Sequence, residues 1–420
     1  MSFKRVVVTG LGSVTPIGNT VAEMWQNLLA GESGAGPISH FDHSKHKVHF
    51  ACEVKNYNPA DYFEKKEIRK LDPSVQFAKV AARECMADSG LDLDKVDRGK
   101  MGVIISSGIG GLASFEDEIG DFYASESRVP RFSPNFVPKI LCNIASGHVS
   151  IDFGLRGPNF GAISACASSA NAIGTAYDMI RIGRATAMVV GGTEAAITPG
   201  SIGGFGVMRA LSTNNDEYQT ASRAFSGSRD GFVMGEGSGC LLIEDLDHAI
   251  KRGAKIYAEI IGYGASSDSY HLTAPHPEGA GAILAMQNAI DEAGINPSDI
   301  DYINAHGTST PMGDLCEIKA IKKVFGEHAY NLNISSTKTM TGHLLGASGA
   351  LESIISVKAI QNNIVPPTIN HREDDLDPNI DYKMNFTFNK AQERKIDIAL
   401  SNSFGFGGQN ACLVFKRYAE

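Results

Sequence analysis

Ala87-Asp88-Ser89-Gly90-Leu91 closes a helical run just before the apolar segment Met101–Ser106, and Asp291-Glu292-Ala293-Gly294-Ile295 closes another just before residues 300–304. In both places a helical run ends on a similar stretch containing a glycine, and a short apolar run suited to a strand follows. One helix-then-strand unit is therefore used twice. Further strand-like runs at 5–9, 187–190, 239–243, 256–261, 396–401 and 411–415 alternate with helical patterns. The alternation predicts an α/β fold, and the almost wholly apolar character of several runs predicts sheets covered by helices on both faces. The halves are expected to span residues 1–254 and 255–420, and since no low-complexity linker parts them, two sheets should pack into one body.

At the N-terminus Val6-Val7-Val8 reads as a strand leading into Gly10-Leu11-Gly12 and then a helix. Thr20 and Glu23 fit a capping box, Val21, Met24, Trp25, Leu28 and Leu29 repeat at helical spacing, and Gly31 fits the C-terminal stop. The glycine pair after a strand invites a dinucleotide-binding reading. That reading fails because Thr15 occupies the third glycine position and no second strand ends in an acidic residue roughly 20 positions later.

With 420 residues, 43% of them hydrophobic, the chain can bury a large core. No stretch reaches the roughly 18 uninterrupted apolar residues of a membrane span, and Met1-Ser2-Phe3-Lys4 leads straight into the first strand without a signal-peptide core, so a cytoplasmic protein is expected. Seven scattered cysteines without a CxxC pair argue against a disulfide framework or a zinc ribbon. A net charge of −9 opposes nucleic acid and anionic membranes as general partners. His40, His43, His46 and His49 recur at every third position after Pro37 but lack supporting cysteines, and no metal site is expected there.

Four segments carry chemistry. In Ser164-Ala165-Cys166-Ala167-Ser168-Ser169 a cysteine lies among small residues at the start of a helical stretch, where the helix N-terminus favours thiolate and a long thioester has room to approach. In Asn304-Ala305-His306-Gly307-Thr308-Ser309-Thr310 a histidine ends an apolar strand, the place where ligands gather in open α/β sheets. A second histidine, His343, follows Lys338 and precedes Gly346, Gly349 and Glu352; because the lysine comes before the glycines, this is not a nucleotide-binding loop. Finally Ser401-Asn402-Ser403-Phe404-Gly405-Phe406-Gly407-Gly408 breaks a strand into a glycine-rich turn whose N–H groups suit an oxyanion and whose aromatics suit a tunnel. Taken singly, each has a plain alternative: a space-filling thiol, two hydrogen-bonded core histidines, a tight turn.

Together with Gly191-Gly192-Thr193-Glu194, the run from Arg229 to Gly239 and Val365-Pro366-Pro367-Thr368, these segments resemble the β-ketoacyl-acyl-carrier-protein synthases along essentially the whole chain, most closely the type II elongation enzymes. The resemblance implies a thiolase fold, two βαβαβαβ halves in a five-layered αβαβα body, usually a homodimer. It implies that Cys166 is the acylated nucleophile, His306 and His343 its partners, Lys338 and Glu352 a supporting ion pair, and the backbone N–H groups of Cys166 and Phe406 the oxyanion hole, with Phe406 also gating the acyl pocket. Thr273, Thr308 and Thr310 would touch the phosphopantetheine arm of an acyl carrier protein. Lys66, Arg69, Lys70, Arg131 and Arg209 would receive that acidic carrier, the first three at helical spacing. No metal or redox cofactor is implied. Ser169 stands where many relatives have glycine, and Ala224 and Ser226 interrupt the usual Ser-Arg-Pro-Phe-Asp, which leaves pocket shape open. A non-catalytic carrier-binding subunit is one alternative, against which an intact Cys166 speaks, and within the family a type I synthase or polyketide ketosynthase is the nearest competitor.

Overall fold

Residues 3–419 are described by the computed structural model. Nine strands form its main sheet: β1 (Val6–Val14), β2 (Met101–Ser106), β3 (Ala187–Glu194), β4 (Gly237–Asp245), β5 (Ala258–Ser267), β6 (Tyr302–Asn304), β7 (Asn333–Ser335), β8 (Ile398–Gly405) and β9 (Gln409–Lys416). Their order is β2-β3-β4-β1-β5-β9-β8-β6-β7. Read outward from the centre, β1-β4-β3-β2 and β5-β9-β8-β6 follow one plan of two antiparallel pairings and then a parallel one. The counterpart of β7 in the first half is reduced to a single parallel bridge, Val103 to Asn159. Among the described residues, Val6, Val7 and Val8, paired with Ile260, Glu259 and Ala258, join the two halves of the sheet.

The helices that matter are α1 (Val21–Ala30), α2 (Pro73–Ser89), α3 (Ile144–Phe153), α4 (Ser168–Arg181), α5 (Ala280–Ala293), α6 (Pro311–Phe325) and α7 (Ser348–Asn362). Because successive strand residues face opposite sides, Val103 meets α2 and α3 in one cluster while Ile104 belongs to another with α4 and α7. In the second half Ile303, Leu400 and Val414 pack on α5 and α6, while Ala399 and Leu413 turn inward to α7. The layers therefore run α2/α3, first half-sheet, α4/α7, second half-sheet, α5/α6, the five-layered duplicate the resemblance implied, except that the two sheets expected from the sequence are one continuous sheet through β1 and β5. Helix α7, in the middle layer, is buried on nearly every side, which is why its sequence shows little amphipathic periodicity.

Gly10 and Gly12 do not make a turn. β1 runs through them to Val14, and α2 lies so close that a Cβ at Gly12 would meet Ala81 O at 2.0 Å and one at Gly10 would meet Cys85 O at 2.4 Å. The glycines mark a close helix-to-strand approach. The α1 cap forms half as expected: Thr20 Oγ1 accepts from Glu23 N at 3.2 Å, but the Glu23 carboxylate accepts from Asn19 N rather than from Thr20. No helix is long and apolar enough to cross a membrane among the described residues.

Candidate active site

Cys166 sits in a single 3₁₀ turn, Ala165–Ala167, that feeds directly into α4. The turn begins with Ala165 at φ 49°, a left-handed conformation that a side chain resists, and Ser168 stabilises it. Ser168 Oγ accepts from Ser164 N at 2.9 Å and donates to Ala165 O at 2.7 Å. The result places Cys166, 9% exposed as a residue, on the wall of an apolar cavity of about 410 Å³. His306, His343, Thr273, Thr308, Thr310 and Phe406 line the same cavity. Residues as distant in sequence as Cys166 and Phe406 thus meet in one place.

His306 follows β6, and its position is set by a buried carboxylate on α6. Glu317 accepts from His306 N at 2.8 Å, Gly307 N at 2.7 Å and Asn402 Nδ2 at 3.0 Å. His343 is fixed by its backbone to the segment before β4, with N donating to Val233 O at 2.8 Å and O accepting from Gly235 N at 2.9 Å. Its Nδ1 lies 2.9 Å from Ser348 Oγ, and the two imidazole rings stand edge to face with centroids 5.3 Å apart. When Ser348 donates, the His343 proton resides on Nε2, the nitrogen left for a bound molecule. Burial pushes both imidazoles well below the ordinary histidine pKa, and the Lys338 ammonium pushes them further, so both are neutral near pH 7. Neutral rings can donate one N–H each without carrying charge into an apolar cavity.

Lys338 and Glu352 form a buried ion pair, and burial still lifts Glu352 to about 7 against the pull of Lys338. For Cys166, burial pushes the thiol up to about 11, while the Phe406 N–H and Lys338 pull the other way. The helix N-terminus that the sequence put forward as a thiolate stabiliser is thus outweighed by desolvation. The loop carrying Phe406 passes directly over the turn that bears Cys166: a Cβ at Gly405 would lie 2.7 Å from Ser164 O and 3.1 Å from Cys166 N. Beyond it, Gly407 N donates to Leu272 O at 2.6 Å and Asp268 N donates to Gly408 O at 2.8 Å, tying this loop to the one that bears Thr273. The half-buried Phe406 ring lies tilted against Phe205, centroids 6.2 Å apart and planes 40° from parallel.

Of the five basic residues, all are exposed, and Arg209 lines the cavity as well. The helix at Lys65–Ile68 is a single turn, so Lys66 is helical while Arg69 and Lys70 follow its end. The residues that depart from the family pattern stay off the cavity wall. Ser169 Oγ accepts from Ala350 N at 2.9 Å, and Ser226 Oγ lies 3.3 Å from His371 Nδ1. In the histidine-rich loop His40 bonds Glu236 at 2.9 Å and His43 lies against His49, ring centroids 5.0 Å apart. Sequence reading missed Glu317 and Ser348. The available signal for Glu317 was a carboxylate among the apolar positions Cys316, Ile318 and Ile321 of one helix.

A thiol and two neutral imidazoles facing one apolar cavity, with hydroxyls along its wall, suit an enzyme that joins acyl groups held as thioesters. The β-ketoacyl synthase N-terminal domain model matches residues 3–249 and the C-terminal domain model matches residues 257–372, and the chain belongs to this family. It is 51% identical over 417 residues to the 3-oxoacyl-[acyl-carrier-protein] synthase 2 of Coxiella burnetii, covering 99% of each chain. It is 50% identical over 415 residues to the enzyme of that name from Staphylococcus aureus strain COL, again covering 99% of each. Among solved structures, a type II polyketide ketosynthase in complex with its acyl-carrier protein superposes with a TM-score of 0.91 at 33% identity, covering 99% of this chain and 100% of that one. A β-ketoacyl synthase from Burkholderia phymatum gives 0.90 at 33% identity with the same coverage.

Proposed function

We propose that this chain is a 3-oxoacyl-[acyl-carrier-protein] synthase of the elongation type, extending fatty acyl chains by decarboxylative Claisen condensation. The observation that carries the reading is the convergence of Cys166, His306 and His343 on one apolar cavity. In the first half-reaction Cys166 Sγ attacks the acyl carrier thioester, the oxyanion is held by the N–H groups of Cys166 and Phe406, and the carrier leaves as a thiol with the cysteine proton. In the second, a malonyl carrier thioester loses carbon dioxide, and the enolate oxygen is held by one N–H from each of His306 and His343. The enolate carbon attacks the acyl carbonyl, the tetrahedral intermediate expels the Cys166 thiolate, and the thiolate takes a proton from solvent. Burial keeps both imidazoles neutral, and the charge of Lys338, paired with Glu352, acts in the same direction. No step calls on a metal or redox cofactor.

The partner in this reading is an acyl carrier protein, received at the exposed cations Lys66, Arg69, Lys70, Arg131 and Arg209, with Thr273, Thr308 and Thr310 along the path of its phosphopantetheine arm. A homodimer in the cytoplasm is the expected working state. Exposure to an acyl carrier thioester followed by intact-protein mass and peptide mapping tests the reading. An acyl adduct on Cys166 is expected, and a folded protein that forms none with an active carrier defeats it.

A further inference from the structure

Glu194, the last residue of β3, is fully buried and plays no part in the chemistry above. Its Oε1 accepts from Ser107 Oγ at 2.6 Å and Ile109 N at 3.2 Å, and its Oε2 accepts from Gly108 N at 2.8 Å and Gly346 N at 2.9 Å. Every neighbour is a donor, which suits an ionised carboxylate with no work for a proton of its own. Gly108 and Ile109 line the cavity beside Cys166, and Gly346 lies three residues beyond His343. The junction has no slack: a Cβ at Gly346 would meet Gly108 N at 2.3 Å and Glu194 Oε2 at 2.8 Å.

We propose that Glu194 is a positioning residue of the condensation, whose carboxylate locks the Gly108–Ile109 wall of the acyl cavity to the turn that follows His343. One buried anion then sets both how the acyl chain fits and where the second imidazole stands. The proposal rests on the condensing reading of the same cavity. Its consequence is that damage at Glu194 moves two properties that a purely structural carboxylate would leave alone: the preference between short and long acyl chains, and the balance between acylation and decarboxylation.

Glu194→Gln keeps the shape but turns one acceptor into an NH₂ that faces two donors. Acylation of Cys166 by a short and a long acyl carrier thioester, malonyl carrier decarboxylation and thermal melting are measured side by side with the unaltered protein. Decarboxylation is expected to fall on the order of tenfold to a hundredfold, the scale of a catalytic group displaced by about an ångström, with a changed short-to-long acylation ratio. In Glu194→Gly, formate is expected to restore part of the lost rate by entering the vacated nest of N–H donors, and chloride is not. A folded Glu194→Gln protein with a lower melting temperature but unchanged acyl preference and unchanged balance of half-reactions overturns the proposal. Should that variant fail to fold, Ser107→Ala, which removes one donor, must shift both ratios in the same direction by less, and no shift overturns it equally. An unaltered protein that never acylates at Cys166 defeats the condensing reading instead.

Discussion

The turns Ala165–Ala167 and Leu345–Ala347 are the same piece of backbone used twice, once in each half, and they pack against each other at the centre of the molecule. Ala165 has φ 49° and Leu345 φ 46°, both turns close with a hydrogen bond across three residues, and both release into a middle-layer helix that begins with serine. The residues they carry differ. The first turn presents Cys166 to the cavity with the Phe406 N–H above it, whereas the second carries Gly346, whose N–H is taken by the Glu194 carboxylate. The leading serines have parted in the same way: Ser168 braces its own turn, and Ser348 instead holds the imidazole of His343. Two helix N-termini of one build thus differ in what meets them: the first faces the cavity, and the second receives an internal carboxylate.

The largest test of this asymmetry removes the sulfur. Cys166→Ala is expected to abolish acyl adduct formation and condensation entirely, read by intact-protein mass and product assay. A residual adduct mapped near residues 343–348 would break the comparison, since it would make the second turn a working site. Next come the two imidazoles. His306→Ala and His343→Ala should each lower malonyl carrier decarboxylation on the order of 10²–10³-fold, the usual cost of one oxyanion donor, while changing acylation of Cys166 far less. Equal loss of both half-reactions would sink the division of labour.

The two half-reactions should also part in their response to pH. Burial holds the Cys166 thiol up to about 11, so the thiolate fraction, and with it the acylation rate, should climb about tenfold per pH unit from 7 to 9. Both imidazoles have their pKa lowered by burial and by Lys338, so they are already neutral above the ordinary histidine range. Decarboxylation is therefore expected to stay flat over the same interval. The sign for stability follows: between the depressed folded pKa values and the ordinary value near 6.5 the unfolded chain binds more protons, so these histidines cost stability as pH falls through that window. A pH-independent acylation rate would mean that the bound thioester, rather than the resting enzyme, sets the thiol's acidity.

What could be read in advance follows this division. The duplicated plan was legible because Gly90 and Gly294 each end a helix before a strand, and the apolar runs of β2, β3, β4, β8 and β9 are too regular to miss. Cys166, His306, His343 and Phe406 were legible because each lies in a segment of unusual composition. β7 was not, since Asn333-Ile334-Ser335 is short and mostly polar. Gly10 and Gly12 invited a dinucleotide-binding reading because sequence cannot distinguish a glycine that lets a phosphate approach from one that lets a helix come close. Glu194, Glu317 and Ser348 escaped for a different reason: their roles exist only as hydrogen bonds to groups 10 or more residues away or, for Ser348, to a side chain five residues back.

Smaller effects probe the turns as backbone. Gly346→Ala should destabilise by about 1–3 kcal/mol, the cost of forcing a methyl group into a full site, because its Cβ would collide with Gly108 N and Glu194 Oε2. Thermal or denaturant melting reads this directly. Unchanged stability would show that the Gly108 loop yields, and the second turn would then be less tightly filled than the comparison requires.

The smallest effect is the sharpest, because it separates strain from function within the active turn. At Ala165 the backbone pays for a left-handed conformation that glycine adopts freely, a relief of about 1–2 kcal/mol. Glycine also loses more freedom on folding, about 0.5–1 kcal/mol. Ala165→Gly should therefore be neutral or stabilising by up to about 1.5 kcal/mol in a denaturant titration. Its acylation rate should nevertheless fall a few-fold, since a residue that no longer resists the turn no longer insists on one position for the neighbouring sulfur. The equivalent Leu345→Gly relieves the same φ but removes a buried side chain, a loss of about 2–5 kcal/mol for truncating a core leucine, so its stability change should have the opposite sign. Two turns of one conformation would then answer the same substitution in opposite directions, and equal answers would mean that the strain, not the packing around it, governs both.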